Sequence, residues 1–382
     1  MHLTLHLTRA CQLRCDYCYA PPRPEPGMRL ETAIAALEFG LRENSEAFGL
    51  AFFGGEPLLH KDLIRAVVAH GEALEAPGRP PVRFKLTTNG IALDDEFLTF
   101  AAAKGVHIAL SLDGVRAAHE AHRRFPDGSS SFDRTLDALR RLLKVRPYSL
   151  VHAVVNPDTA PLMAESAAFL LDEGVRYLSF SLNFAAPWTD EDLDVLEGQY
   201  ALLAERYVDW TRAGRKFYLA PFEKKLASHI RQGECHHDRC ELGVRQLSVS
   251  PEGDLFPCVQ FANDGRESPS CMGDVWQGVD EIARLRWALR SSPVKAFCEG
   301  CALTERCEHT CGCLNRQATG DINGVSPVMC RHEQMSIAAA DRVGAILYAE
   351  RNAYFLRKHY NPAYPLLSLV EDLAGEGLAG WE

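Results

Sequence analysis

No apolar run in the 382-residue chain approaches the roughly 18–20 residues that a membrane span requires. Its opening stretch, Met1–Thr8, holds neither a basic segment nor a long apolar one, so no secretory signal is read there. Basic residues are in deficit, 41 Lys and Arg against 51 Asp and Glu, for a formal charge of −10. Such a chain carries no general electrostatic footprint for nucleic-acid phosphates. Internal repeats and low-complexity segments are also missing. The 47% hydrophobic and 24% charged composition is that of packed globular domains. These absences point to a cytoplasmic protein with neither a membrane nor a nucleic acid as partner.

Cysteine, by contrast, is in excess, with thirteen residues. A reducing compartment disfavours disulfides, so metal ligation is the expectation and the spacing must identify the metal.

Up to about Arg215 the chain alternates short β-branched or apolar runs with longer amphipathic ones. Strands are predicted at Leu3–Thr8, Ala51–Phe53, Val82–Thr88, Ile108–Leu112, Leu150–Val155 and Tyr177–Leu182. Helices are predicted at Arg29–Arg42, Lys61–Leu74, Asp94–Lys104, Phe132–Leu143, Ala160–Asp172 and Glu191–Arg212. Strand-then-helix repeated about six times predicts a parallel α/β sheet, open or closed into a barrel. In either architecture the chemistry sits at the carboxyl ends of the strands. There the sequence places the first cysteines, Gly54-Gly55-Glu56-Pro57, Thr88-Asn89-Gly90 and Ser111-Leu112-Asp113-Gly114. Residues 1–215 are read as one domain, 216–340 as a cysteine-rich second, and 341–382 as a C-terminal helix and tail. A helix is predicted over Ser336–Leu356.

Cys11, Cys15 and Cys18 are spaced x3 and x2 on one short loop after the first strand. Three thiolates there can hold three irons of a cubane and leave the fourth without a protein ligand. A zinc site completed by a distant histidine is the competing reading. This CxxxCxxC resembles the signature of the radical S-adenosylmethionine (SAM) enzymes, and Gly54-Gly55-Glu56-Pro57 resembles their GGEP motif. The resemblance implies that SAM chelates the open iron and is cleaved to a 5′-deoxyadenosyl radical, which abstracts hydrogen from unactivated C–H bonds. It further implies that Tyr17 packs beside the adenine, that Gly54 and Gly55 allow close backbone approach, and that Glu56 accepts from the methionyl ammonium. Ser111 would contact the ribose, and Asn89 is a further cofactor-binding candidate.

The second field runs Cys235, Cys240, Cys258, Cys271, Cys298, Cys301, Cys307, Cys311, Cys313 and Cys330. Gly253-x4-Cys258 followed by Cys298-x2-Cys301-x5-Cys307-x3-Cys311 and a later Cys330 resembles the SPASM extension of peptide-modifying radical enzymes. The resemblance implies a partial (β/α)6 TIM-like barrel followed by a SPASM domain with two auxiliary [4Fe–4S] clusters. Cys235, Cys240, Cys258 and Cys311 would hold one, and Cys298, Cys301, Cys307 and Cys330 the other. Cys271 and Cys313 are left over, and Cys313 is near enough to Cys311 to exchange roles with it. Structural zinc is the competing reading of this region too.

Relatives of this type modify peptides or small proteins, so an oxidoreductase that forms a thioether or carbon–carbon crosslink in a ribosomally made peptide is expected. Ring formation removes two hydrogens; after the first is abstracted one electron remains, and a nearby cluster can accept it. In the sulfatase-maturase branch an aspartate base follows the third cysteine of this field. Here Val259 follows Cys258 and cannot take a proton. Formylglycine formation, or a small-molecule or haem-type substrate, is therefore the alternative. Asp113, His119, His122 and Glu223 are candidate acid–base groups. Arg9, Arg14, Arg23, Arg123 and Arg124 could make a positive rim for an acidic peptide. With the first strand at residue 3, substrate recognition is expected from a separate carrier protein or from the barrel and residues 191–233. An external electron donor such as flavodoxin or ferredoxin completes the expected partners.

Overall fold

Alternation within the strands decides which face of the sheet is buried. In the computed structural model, which describes residues 2–20, 26–44, 48–75, 81–220, 222–230, 242–290, 295–365 and 367–368, seven strands run parallel. They are β1 (His2–Thr8), β2 (Phe48–Gly54), β3 (Val82–Thr88), β4 (His107–Ser111), β5 (Leu150–Val155), β6 (Tyr177–Leu182) and β7 (Tyr218–Ala220). Helices α1 (Leu30–Arg42), α2 (Lys61–Ala73), α3 (Asp95–Ala103), α4 (Arg116–His122), α5 (Phe132–Val145), α6 (Met163–Asp172) and α7 (Asp190–Arg212) connect them. Each of these strands lies beside its predecessor, in the order β7-β6-β5-β4-β3-β2-β1. A doubly wound sheet would reverse at a switch point; this one winds in a single direction, as a barrel does. β7 forms one edge of the sheet, so the barrel is partial.

Leu3, Leu5, Leu7, Phe48, Leu50, Phe52, Phe84, Leu86, Ile108, Leu110, Val151, Ala153, Leu178 and Phe180 are all buried in one continuous core. Strand geometry sends the intervening residues to the opposite face. They include the polar and mostly half-buried Thr4, His6, Thr87, Ser111, His152, Ser179 and Ser181, interspersed with the apolar Ala51, Phe53, Ala109 and Val154. A sheet that was only a scaffold would have no reason to line its concave face this way.

The sheet runs on past the expected boundary at residue 215. β7 begins three residues later, and β8 (Gln246–Val249) joins the other side in parallel with β1, placing Leu3 opposite Leu247 and Leu5 opposite Val249. β9 (Leu255–Phe256) follows β8 antiparallel and forms the far edge. Strands from both sides of residue 215 thus share one sheet. α8 (Phe222–Ile230) precedes β8, and a small hairpin of β10 (Gly273–Asp274) and β11 (Gly278–Val279) follows β9. Among the described residues four α-helices follow: α9 (Glu281–Arg290), α10 (Gly312–Thr319), α11 (Pro327–Ala349) and α12 (Ala353–Tyr360).

α11 begins nine residues before the predicted start at Ser336. Ser326 caps it by accepting from the Met329 N–H, and Pro327 occupies the first turn, where a missing N–H costs nothing. The helix predicted to run to Leu356 breaks at Arg351, whose φ is 52°. Asn352 then caps α12. Lys225 on α8 and Glu333 on α11 form a buried pair at 2.6 Å. Lys225 also donates to the Arg306 carbonyl, and the Glu308 N–H donates to Glu333. A buried ion pair is tolerable only when its remaining valences are filled, as here. The pair anchors the Cys307–Cys311 loop to two helices.

Candidate active site around the three-cysteine loop

β1 ends at Thr8, and the chain turns straight into the cysteine loop. The end of β2 clamps that turn. Gly55 N–H donates to the Thr8 carbonyl at 2.7 Å and Glu56 N–H to the Ala10 carbonyl at 2.8 Å. A Cβ on Gly55 would stand 2.2 Å from the Ala10 oxygen, and Gly54 has a φ of +122°. Both glycines are therefore demanded by the close approach of two backbones. The Gly55 N–H is spent on the protein itself.

Glu56 is 1% exposed. Its carboxylate accepts from Leu58 N–H at 3.0 Å, Thr88 Oγ1 at 2.7 Å and Asn89 N–H at 2.8 Å. Burial raises its pKa, and these three bonds with the nearby Arg123 pull against that rise. A carboxylate has about four lone-pair positions, so one remains for a further donor. Asn89 is more than a turn residue. Its side-chain amide reaches Cys11 Sγ at 3.5 Å and Gln12 Oε1 at 3.3 Å, while its Oδ1 accepts from Ile91 N–H.

The loop carries all three thiols at intermediate burial. Cys18 N–H donates to the Cys15 carbonyl and closes the turn that brings them round. Burial pushes all three thiols up, Cys15 to about 12, and Cys15 also feels the other two. Among the described residues no three His, Cys, Asp or Glu side chains are grouped as ligands of a single ion. A cubane instead takes its thiolates on separate irons. Donors from outside the loop approach two of the sulfurs: Asn89 Nδ2 approaches Cys11 Sγ, and Arg123 Nη1 lies 4.0 Å from Cys15 Sγ. Such outer donors are what a metal-bound thiolate takes, so the residues fit an iron–sulfur cluster.

Tyr17 hydroxyl donates to Asp113 Oδ2 at 2.6 Å, and Arg123 Nε donates to the same oxygen at 2.8 Å. Val154 N–H fills Asp113 Oδ1 at 2.9 Å. The Arg123 guanidinium lies 5.3 Å from the Tyr17 ring centroid. Burial raises the Asp113 pKa, but Arg123, His119 and its hydrogen bonds outweigh it and hold the carboxyl below the usual range. Ser111 ends β4 on the concave face, in register with His152 on β5. His152 was not singled out from the sequence; its place alternating with Val151 and Ala153 was the available signal.

Several sequence candidates for acid–base work are committed elsewhere. Asp113 is locked to Arg123. His119 is fully buried beside Ser131, and burial lowers its pKa to about 4. Glu223 is buried against the Tyr207 hydroxyl and Lys358. His122 also lies near the loop, 5.7 Å from the Tyr17 ring, with Asp158 on its Nε2. The expected arginine rim also changes. Arg123 is buried, Arg9 makes two bonds to Glu252 across the two halves of the chain, and Arg23 lies outside the described residues.

In the second field, Cys235 and Cys240 lie outside the described residues. Cys258 and Cys313 are buried and Cys311 is half-buried. The neighbouring Cys313 draws the Cys311 thiol down to about 7, while Cys258, Cys311 and burial push the Cys313 thiol up. Gln246 Nε2 reaches Cys258 Sγ at 3.6 Å. The Tyr19 phenol is held above its ordinary value by desolvation and by the charges of Cys258, Cys18 and Cys313. Cys298 and Cys330 are half-buried and Cys301 is exposed. Cys307 is half-buried, its thiol raised by burial and by Glu333. Cys271 stands apart and donates to the Gly273 carbonyl. A cavity of about 690 Å³ opens beside Tyr177 and Tyr218 at the amino ends of β6 and β7 and reaches Cys307 and Cys311.

A family model of the Radical SAM superfamily matches residues 5–170. Residues 5–170 are thus a radical SAM domain, and the protein is an enzyme with SAM and a [4Fe–4S] cluster as cofactors. A PqqA peptide cyclase of Xanthomonas euvesicatoria pv. vesicatoria (strain 85-10) is 26% identical over 95% of this chain and 96% of its own. A serine-type anaerobic sulfatase-maturating enzyme of Klebsiella aerogenes is 26% identical over 79% of this chain and 77% of its own. Among solved structures, native anSMEcpe with bound AdoMet superposes with a TM-score of 0.76 at 18% identity, over 91% of this chain and 99% of that one. That shared fold extends through the cysteine-rich half. No helix among the described residues is long and apolar enough to cross a membrane.

Proposed function

We propose that this enzyme oxidatively modifies a ribosomally made peptide or protein, forming a thioether or carbon–carbon crosslink. Cys11, Cys15 and Cys18 would hold the SAM-binding cluster. With SAM bound, that cluster supplies the 5′-deoxyadenosyl radical. Glu56 offers its one unfilled lone-pair position to the methionyl ammonium, and Tyr17 is held by Asp113 and Arg123 beside the loop. Asn89 steadies the loop through Cys11 and Gln12, and Ser111 faces the concave wall for the ribose. Cys258 and Cys311, with Cys235 and Cys240, would hold one auxiliary cluster, and Cys298, Cys301, Cys307 and Cys330 the other.

The observation that carries the reading is the placement of two thiol fields on one sheet. The three-cysteine loop leaves β1, and Cys258 follows β9, which joins the same sheet through β8, the neighbour of β1. Peptide chemistry is further supported by the names of the relatives, a cyclase of the PqqA peptide and a maturase of sulfatases. Val259 favours the crosslink over formylglycine, since the residue after Cys258 has no base to offer. A separate recognition protein and a flavodoxin- or ferredoxin-type donor are the proposed partners. Mass spectrometry of a peptide encoded beside this gene and co-expressed with the enzyme tests the reading. Loss of the mass of two hydrogens per modification is expected; formylglycine in a sulfatase-type peptide, or a small-molecule product alone, would overturn it.

A further inference from the structure

Arg123 has no part in the roles given so far beyond holding Tyr17 and Asp113, yet its position is unusual. It is 7% exposed, and it points its two ends at different groups. Nε faces Asp113 at 2.8 Å, and Nη1 faces Cys15 Sγ at 4.0 Å. The pair is therefore an oriented dipole with its positive end toward the sulfur and its negative end away from it. The surroundings fix that orientation. Asp113 is held by Val154 N–H and the Tyr17 hydroxyl, and the Arg123 carbonyl accepts from Ser131 Oγ at 2.7 Å. Arg14 N–H bonds the neighbouring Arg124 carbonyl at 2.8 Å, tying the segment to the cysteine loop.

We propose that Arg123 is a positioning residue that raises the reduction potential of the cluster on Cys11, Cys15 and Cys18, with Asp113 setting how much of its charge the cluster feels. The proposal rests on the assignment of Cys15 as a cluster ligand. The physical cause is simple. Reduction adds one negative charge to the cluster, and a buried cation or donor at a ligating sulfur stabilises the reduced form more than the oxidised one. Little water intervenes at this depth to screen the effect. The carboxylate beyond the guanidinium subtracts from it.

The two charges of the pair consequently predict opposite signs. Asp113→Asn should raise the potential, because the guanidinium then acts undiminished. Removing the cation should lower it. Arg123→Gln alone leaves Asp113 buried without its counter-ion and could unfold the site, so Arg123→Gln/Asp113→Asn, which buries no unpaired charge, is the variant of choice. Anaerobically reconstituted full-length proteins would be titrated with dithionite. The reduced cluster is followed by the electron paramagnetic resonance signal that changes on SAM addition, and iron is counted in parallel. In the double variant the ratio of reduced to oxidised cluster at a fixed potential should fall about tenfold, or about 59 mV for one electron. Asp113→Asn should move it the other way. Equal iron with an unmoved midpoint in the double variant, or shifts of one sign in both, would overturn the proposal. A SAM-responsive signal that survives Cys15→Ala would overturn the ligand assignment itself, and the proposal with it.

Discussion

Replacing Glu56 with glutamine separates two roles that the structure superimposes on one carboxylate. The amide nitrogen must take the place of one oxygen. At Oε2 it would confront the Asn89 N–H, donor against donor; at Oε1 it would confront the Leu58 N–H. Either way a buried backbone donor loses its partner, at a cost of about 1–3 kcal/mol in stability. The substitution also removes the charge offered to the methionyl ammonium. A charge-assisted bond is worth about 1.5–3 kcal/mol, so SAM affinity should fall roughly ten- to a hundredfold. Thr88→Val is the control: it deletes one bond to Glu56 at about 0.5–1.5 kcal/mol and keeps the charge, so affinity should fall by less than about tenfold. Calorimetric titration of SAM into anaerobically reconstituted proteins of equal iron content measures both. Binding by Glu56→Gln within about twofold of the unaltered protein would refute a role for Glu56 in holding the cofactor.

Gly55→Ala places a methyl against the Ala10 carbonyl and should cost about 1–3 kcal/mol, read as a lower melting temperature together with weaker SAM binding. An alanine variant as stable as the unaltered protein would contradict the clamp. His119 predicts a pH dependence. Its folded pKa is about 4 against an ordinary 6.5, so below pH 6.5 the unfolded chain binds the proton first and stability falls as pH falls. The loss amounts to about 3 kcal/mol by pH 4, from the 1.36 kcal/mol carried by each pH unit between the two values. His119→Gln should flatten the decline in melting temperature between pH 7 and pH 5; parallel curves for the two proteins would contradict the assignment.

The parts of the site that lie within a few residues of a strand end were legible in the sequence. β3, β5 and β6 fall where alternation puts them, and Gly54, Gly55 and Glu56 gather against the cysteine loop because β2 ends beside β1. What escaped depends on partners distant in the chain. Arg123 read as a surface arginine because nothing local says that Asp113 and Cys15 wait for it. β7 is only three residues long, too short for a period to show, and β8 attaches to β1 by hydrogen bonds that composition does not encode. α11 was read short even though Ser326-Pro327 is a start signal, because its first turns lie in a cysteine-rich stretch and carry Cys330. Cys313, left over by spacing, proves to be a buried neighbour of Cys258 and Cys311.

The central claim is that Cys11, Cys15 and Cys18 hold the cluster at which SAM is cleaved. Its most direct test is 5′-deoxyadenosine formation by reduced protein, measured beside iron content. The account predicts about twelve irons in the unaltered protein, from three cubanes of four. With all three of these cysteines replaced by alanine, about eight irons should remain and no 5′-deoxyadenosine should form. Undiminished 5′-deoxyadenosine from that triple variant, or none from unaltered protein holding its full iron, would contradict it.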